Sequence, residues 1–173
     1  MAALKSVVLI NTLELHLDDE ALARANDCLF PHLRTFSCNQ SSGPAVVSFL
    51  QRHRMLEKVH LNTLAFIQPT FPPIYLPRLT SLIGSYQIVR SLVPGSSIAD
   101  LLVGWEFDPE DGHFAQSLKA VAASASSLTW LGSITSFWTP CLVHTVTHMF
   151  PCIRGLKLEV TVIYPTDVSA VAP

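Results

Sequence analysis

Near the C-terminal end of the chain, cysteine and histidine recur as Cys141-x-x-His144-x-x-x-His148-x-x-x-Cys152. Thiolate sulfur and imidazole nitrogen suit zinc, and spacings of three and four place Cys141, His144 and His148 on one helical face. Two features oppose a zinc site. Thr145 stands where an H-E-x-x-H motif carries its glutamate, and Pro151 breaks the helix before Cys152. The face reads instead as the ordinary buried side of a helix, with Cys acting as a small apolar residue. No metal or other cofactor is expected.

Other chemistry is sparser still. Neither G-x-x-x-x-G-K-[ST] nor G-x-G-x-x-G occurs, so there is no phosphate cradle, and no G-x-S-x-G turn presents a nucleophile. The seven histidines have no serine and acid arranged beside them as in a triad. The expectation is a protein that is not an enzyme. Asn39-Gln40-Ser41 matches a glycosylation acceptor, but Met1 to Ile10 reads as structure and not as a secretory signal. Asp100, Glu106, Asp108, Glu110 and Asp111 form an acidic run with no interleaved base; Arg52, His53, Arg54 and Lys58 form a smaller basic patch. Both read as solvated surface, the latter compensating a helix end.

Composition bounds what such a chain can be. Of 173 residues, 49% are hydrophobic and 14% charged, against a usual charged share of about 25%. That excludes a disordered linker, which lacks the apolar content to collapse. With 11 Lys and Arg against 13 Asp and Glu, no basic field exists to hold nucleic acid. Ser and Thr, 29 together, supply much of the polar surface. Four cysteines without a C-x-x-C pair do not make a disulfide framework. Ala120 to Ile153 contains no Asp, Glu, Lys or Arg, yet Ser, Thr and Pro140 interrupt it too often for a membrane span. The reading is no membrane, no nucleic acid, and a reduced cytoplasmic or nuclear setting.

The deciding feature is internal repetition. A hexad, apolar-x-x-apolar-x-apolar with small residues admitted last, starts at Ile10, Leu33, Leu56, Leu79, Ile98, Leu128 and Ile153. The intervals are 23, 23, 23, 19, 30 and 25 residues, and the copies at Leu79 and Leu128 end in Gly84 and Ser133. Three copies share an apolar-Pro-x-apolar entry: Phe30-Pro31-His32-Leu33, Leu76-Pro77-Arg78-Leu79 and Phe150-Pro151-Cys152-Ile153. Proline there ends the preceding helix and favours extended backbone before it.

Helical segments are predicted between the hexads: residues 18–29, opening on Asp18-Asp19-Glu20, then Pro44–His53, Ser85–Leu92, Gly112–Ala125 and Pro140–Met149. A strand and a short helix in about 23 residues cannot bury enough surface alone and must stack on neighbours. Short crossovers of this kind return the chain to the same sheet edge as parallel strands. The predicted fold is α/β: a leucine-rich-repeat solenoid with a parallel concave sheet of about seven short strands, roughly 30 Å long at about 4.8 Å per strand, and helices on the convex side. It spans residues 1–164, with 165–173 as a C-terminal tail.

The L-x-x-L-x-L hexads, the 23–30-residue period and the F-P-x-L entries resemble the repeat region of F-box/leucine-rich-repeat proteins, in the divergent style of mushroom-forming fungi. The resemblance covers Ile10 to Val160. It implies a recognition solenoid that binds a protein partner, as the substrate-recognition part of an F-box-type ubiquitin-ligase subunit. This chain departs from the family in two ways. The Asn that usually follows the hexad by three residues is replaced by Asp18, Ser41, Leu64, Gln87, Glu106, Ser136 and Thr161. The F-box segment itself is absent, so adaptor binding and membership of a ubiquitin-ligase complex are not carried over to this chain, only the recognition-solenoid role. Neither end reads as a polar cap, which leads to the expectation of a fragment of a longer protein or a solenoid associating through its ends.

Strand alternation sends each hexad's apolar positions inward and leaves three columns on the concave side. They read Thr12, Thr35, Lys58, Ser81, Asp100, Trp130, Gly155; then Glu14, Ser37, His60, Ile83, Leu102, Gly132, Lys157; then His16, Asn39, Asn62, Ser85, Gly104, Ile134, Glu159. The candidate partner-binding residues are Lys58, His60, Asn62, Ile83, Asp100, Leu102, Trp105, Trp130, Ile134 and Lys157. An apolar and aromatic group on a curved polar sheet suits protein recognition. The alternative is a one-residue register shift in the looser later repeats, which would turn these side chains inward. Two other readings stand beside recognition: an orphan structural fragment without independent activity, or a zinc protein built on Cys141 to Cys152.

Overall fold

A computed structural model describes residues 12–15, 22, 24–25, 27–38, 43–61, 72–104, 113–124, 128–135 and 140–160 of the chain. Its strands are β1 (Thr12–Leu15), β2 (Thr35–Cys38), β3 (Lys58–Leu61), β4 (Ser81–Ser85), β5 (Asp100–Gly104), β6 (Trp130–Thr135) and β7 (Gly155–Val160). The helices are α1 (Gly43–Arg52), α2 (Tyr86–Leu92), α3 (His113–Ser124) and α4 (Pro140–Met149). The strands lie in one sheet in chain order, each parallel to the next. The protein is therefore α/β with a parallel sheet. Every strand begins at the third residue of its hexad.

The hexad's fourth positions form one row across the sheet. Leu13, Phe36, Val59, Leu82, Leu101, Leu131 and Leu156 are cross-strand partners in succession. From Phe36 to Leu131 these residues are at most 2% exposed. They join Phe49 and Leu50 of α1, Ile88 and Leu92 of α2, Leu118 of α3 and Val146 of α4 in a single core. The helices thus cover one sheet face; α2 packs on β4, β5 and α3, and α3 packs on α4. Gly84, the irregular last residue of its hexad, has a reason here. A Cβ on Gly84 would lie 3.1 Å from Ile88 Cγ2, so the missing side chain is the seat for the first buried residue of α2.

Two hydrogen-bond devices recur at the strand entries among the described residues. The first is a turn: the N–H of Leu33, Leu56, Leu79 and Ile153 donates to the carbonyl three residues earlier, on Phe30, His53, Leu76 and Phe150, at 3.1–3.3 Å. Pro31, Pro77 and Pro151 occupy the second turn position, where their fixed φ is already correct. Their role is thus turn geometry more than helix termination. Val93-Pro94-Gly95-Ser96 makes the same closure before β5, with Gly95 at φ 77°, a left-handed value that glycine adopts freely. The second device is a forked acceptor. Arg34 O accepts from the N–H groups of Glu57 and Lys58 at 2.8 and 3.0 Å. Glu57 O serves Thr80 and Ser81, Thr80 O serves Ala99 and Asp100, Ala99 O serves Thr129 and Trp130, and Thr129 O serves Arg154 and Gly155. Thr80 and Thr129 add their hydroxyls to the forks on Glu57 and Ala99. Gln87, the described residue at the family's Asn position, adds nothing of this kind: its Oε1 is buried with no hydrogen-bond partner among the described residues.

His53 does not belong to a solvated basic patch. It is 4% exposed and stacks on Phe49, ring centroids 4.2 Å apart, with Phe30 at 5.7 Å. Its Nδ1 lies 2.8 Å from Phe49 O, and its Nε2 accepts the Phe30 N–H at 3.2 Å. Those contacts use the neutral ring with its proton on Nδ1. The imidazole closes the end of α1 and ties it to the preceding repeat.

Burial holds the pKa of His53 below its ordinary value, and the neighbouring Arg52 charge pushes the same way against the Phe49 hydrogen bond. Above about pH 6.5 the ring is neutral in both folded and unfolded chains; as the pH falls below that, the unfolded state takes the proton first and stability declines. The thermal midpoint is therefore expected to drop between pH 7.5 and 5 more steeply than in His53→Gln; parallel profiles would contradict this. Phe49→Ala, which empties the stack between Phe36 and His53, is expected to cost about 3–5 kcal/mol in denaturant unfolding.

Candidate functional site on the open sheet face

The strand residues that alternate with the buried row occupy the face opposite the helices. Their register reproduces the columns expected from the hexads: Thr12, Thr35, Lys58, Ser81, Asp100, Trp130 and Gly155 are successive partners. Glu14, Ser37, His60, Ile83, partnered in turn with Leu102, Gly132 and Lys157, form the second column. Ser85, Gly104, Ile134 and Glu159 form the third. The later repeats keep this register although the intervening segments differ in length, so Ile83, Leu102, Trp130 and Ile134 do not turn into the core. All four are half-buried.

Lys58, Asp100 and Lys157 are exposed and His60 is half-buried. Asn62 and Trp105, together with His16, Asn39 and the acids from Glu106 to Asp111, lie outside the described residues. Toward β2 and β3 the face is polar; toward β5 and β6 it becomes apolar.

Two glycines organise that apolar end. A Cβ on Gly132 would lie 2.7 Å from Trp130 Cη2 and 2.3 Å from Leu102 Cδ1. A Cβ on Gly155 would lie 2.4 Å from Trp130 Cδ1 and 3.2 Å from its Nε1. The six-membered part of the indole therefore fills the space over Gly132, and the five-membered part fills the space over Gly155. Trp130 lies down across the sheet, with Leu102 meeting it over Gly132. Gly132 is buried for this reason although it belongs to the open face. A ring seated in this way loses little further conformational freedom when a partner covers it.

The charges around the ring are placed unequally. Lys157 Nζ lies 3.0 Å from Glu159 Oε2, so the cation nearest Gly132 in its column is already matched. Asp100 is the register partner of Trp130 on β5, and its Oδ1 receives a long contact from the Thr129 hydroxyl, at 3.5 Å. Among the described residues, no Lys or Arg forms an ion pair with Asp100.

The Cys/His set is distributed differently. His144 and His148 are exposed on α4, their rings stacked with centroids 6.4 Å apart, and Cys152 is exposed in the turn after the helix. The side chain of Cys141 lies outside the described residues. This corrects the expectation that the His144–His148 face is the buried side: α4 and the residue after it bury Val146 and Phe150 instead. Desolvating two imidazoles without partners costs more than desolvating aliphatic or aromatic carbon, so the helix rolls the valine inward. Among the described residues, no group of three His, Cys, Asp or Glu side chains is placed to hold a metal ion.

Gly132 and Gly155 are the contributors that the hexads alone did not single out. The usable signal is a Trp at the third hexad position, with Gly two residues later and Gly again at the same position of the next copy. Comparison with family models, curated proteins and solved structures gives no match to this chain. No helix among the described residues is long and apolar enough to cross a membrane.

Gly132→Ala is expected to lift the indole off the sheet, since its methyl group needs space now held by Trp130 and Leu102. The cost is about 1–3 kcal/mol, as for other overpacked sites. Indole emission should move to longer wavelength, measured as a difference against Trp130→Phe. Unchanged emission would show that the ring does not lie over Gly132.

Proposed function

We propose that this chain is a non-enzymatic protein-interaction solenoid of the leucine-rich-repeat type, binding a protein partner on the sheet face that carries Trp130. In this reading the sheet is the concave side and the helices the convex side. The observation that carries the proposal is Trp130 lying over Gly132 and Gly155, beside Leu102, on a face whose remaining columns are largely polar. A half-buried aromatic anchor with charged residues around it has the anatomy of an interaction hot spot. The resemblance to F-box/leucine-rich-repeat proteins extends the proposal to substrate recognition for a ubiquitin ligase, in the cytoplasm or nucleus.

The test is capture of a specific partner by the folded chain, followed by competition with its variants. Leu102→Asp and Trp130→Ala are expected to weaken capture at least about tenfold, the scale of a hot-spot truncation. Lys119→Glu, an exposed position on α3, is expected to leave capture unchanged. A partner lost with Lys119→Glu but kept with both sheet-face variants would place recognition on the helices and overturn the proposal.

A further inference from the structure

The partner's chemistry is legible from what surrounds Trp130. The indole is pinned from below by two glycine backbones, so a partner group meets a flat, electron-rich surface already in position. One strand away, about 4.8 Å at the backbone, Asp100 presents an exposed carboxylate in the same register column. Asp100 has no basic partner among the described residues. Among the described residues from β3 to β7, the other charges on this face are Lys58, Lys157 and Glu159. Lys157 and Glu159 pair with each other at 3.0 Å, and Lys58 stands two strands beyond Asp100, with Ser81 between them. One aromatic face and one unmatched anion are thus left side by side.

We infer that Trp130 and Asp100 form a receptor for an arginine side chain of the bound protein. The inference rests on the reading of this face as a docking surface and adds what docks there. A guanidinium is planar: it stacks on an aromatic ring while its edge N–H groups point outward to a carboxylate beside the ring. Asp100 stands one strand from Trp130 in the same register column, and Leu102 meets the ring over Gly132, which supplies apolar surface for the methylene stem of arginine. A lysine ammonium cannot both stack flat and offer two parallel donors. A carboxylate ligand would meet Asp100 in repulsion. Lys157 does not drive the cation away, because Glu159 already neutralises it.

The experiment uses the full chain, labelled on indole nitrogen and titrated with the blocked peptide acetyl-Gly-Arg-Gly-amide. Its citrulline analogue, which keeps the shape and loses the charge, and its lysine analogue serve as comparisons. The Trp130 Nε1–H resonance, assigned by its loss in Trp130→Phe, is expected to shift and saturate at least about fivefold more tightly with the arginine peptide than with either analogue. Asp100→Asn, an exposed and nearly isosteric change, is expected to remove most of that preference. Equal binding of the arginine and citrulline peptides, or an unchanged preference in Asp100→Asn, overturns the inference. A captured partner that is lost with Trp130→Ala yet indifferent to Asp100→Asn also overturns it, while leaving the docking face itself standing. If neither variant affects the captured partner, both readings fall.

Discussion

The structure depends on one recurring contact: a carbonyl one residue before each strand that accepts two successive N–H groups from the next repeat. It is seen from Arg34 through Thr129, at five consecutive interfaces. A parallel ladder alone would supply one of those two bonds; the second fixes where the incoming strand starts. Between successive hexad starts the chain runs 19 to 30 residues, so the connecting segments cannot set the register by length. The fork sets it, and each strand starts level with the last. Pro-containing turns and the His53 closure bring the chain to the fork already bent.

From level strands follows the division of the sheet into two faces. Because side chains alternate, a one-residue slip in any repeat would carry its apolar set to the opposite face. With every repeat in register, the row from Phe36 to Leu131 becomes one continuous buried line that the helices cover. The other face is then free to differ from strand to strand. It does so: hydroxyls and charges stand on β2 and β3, whereas Ile83, Leu102 and Trp130 mark β4 to β6. Parallel sheets are commonly covered on both sides. Here one face retains exposed and half-exposed side chains, and that is the face proposed for recognition.

The tryptophan shows how the position of a side chain is set by residues that contribute none. An indole standing upright on a sheet would be a mobile projection. Gly132 and Gly155 let it lie flat, so its position is decided by backbone on two strands and by Leu102 on a third. Its surroundings then acquire meaning. Lys157 and Glu159 pair within β7, and Asp100, which has no ion-pair partner among the described residues, stands one strand from Trp130 in its register column. The same logic separates this face from α4, where His144 and His148 point outward because valine and phenylalanine fill the inner side.

Much of this was legible in the residue order. Hexads starting at Leu33, Leu56 and Leu79 at equal intervals define strands, and alternation within each hexad assigns its inner and outer positions, because periods of two and twenty-three survive without tertiary information. The helices near Pro44, Tyr86 and Pro140 follow from proline placement and from the gaps the strands leave. Other features arise only from assembly. That His53 is buried and neutral depends on Phe30 approaching from 23 residues away. That the His144–His148 side of α4 faces outward depends on which face the core needs to fill. That Gly132 and Gly155 together seat one indole depends on two strands meeting in register. Such properties belong to pairs of residues distant along the chain, and a local pattern contains no term for the distance that folding closes.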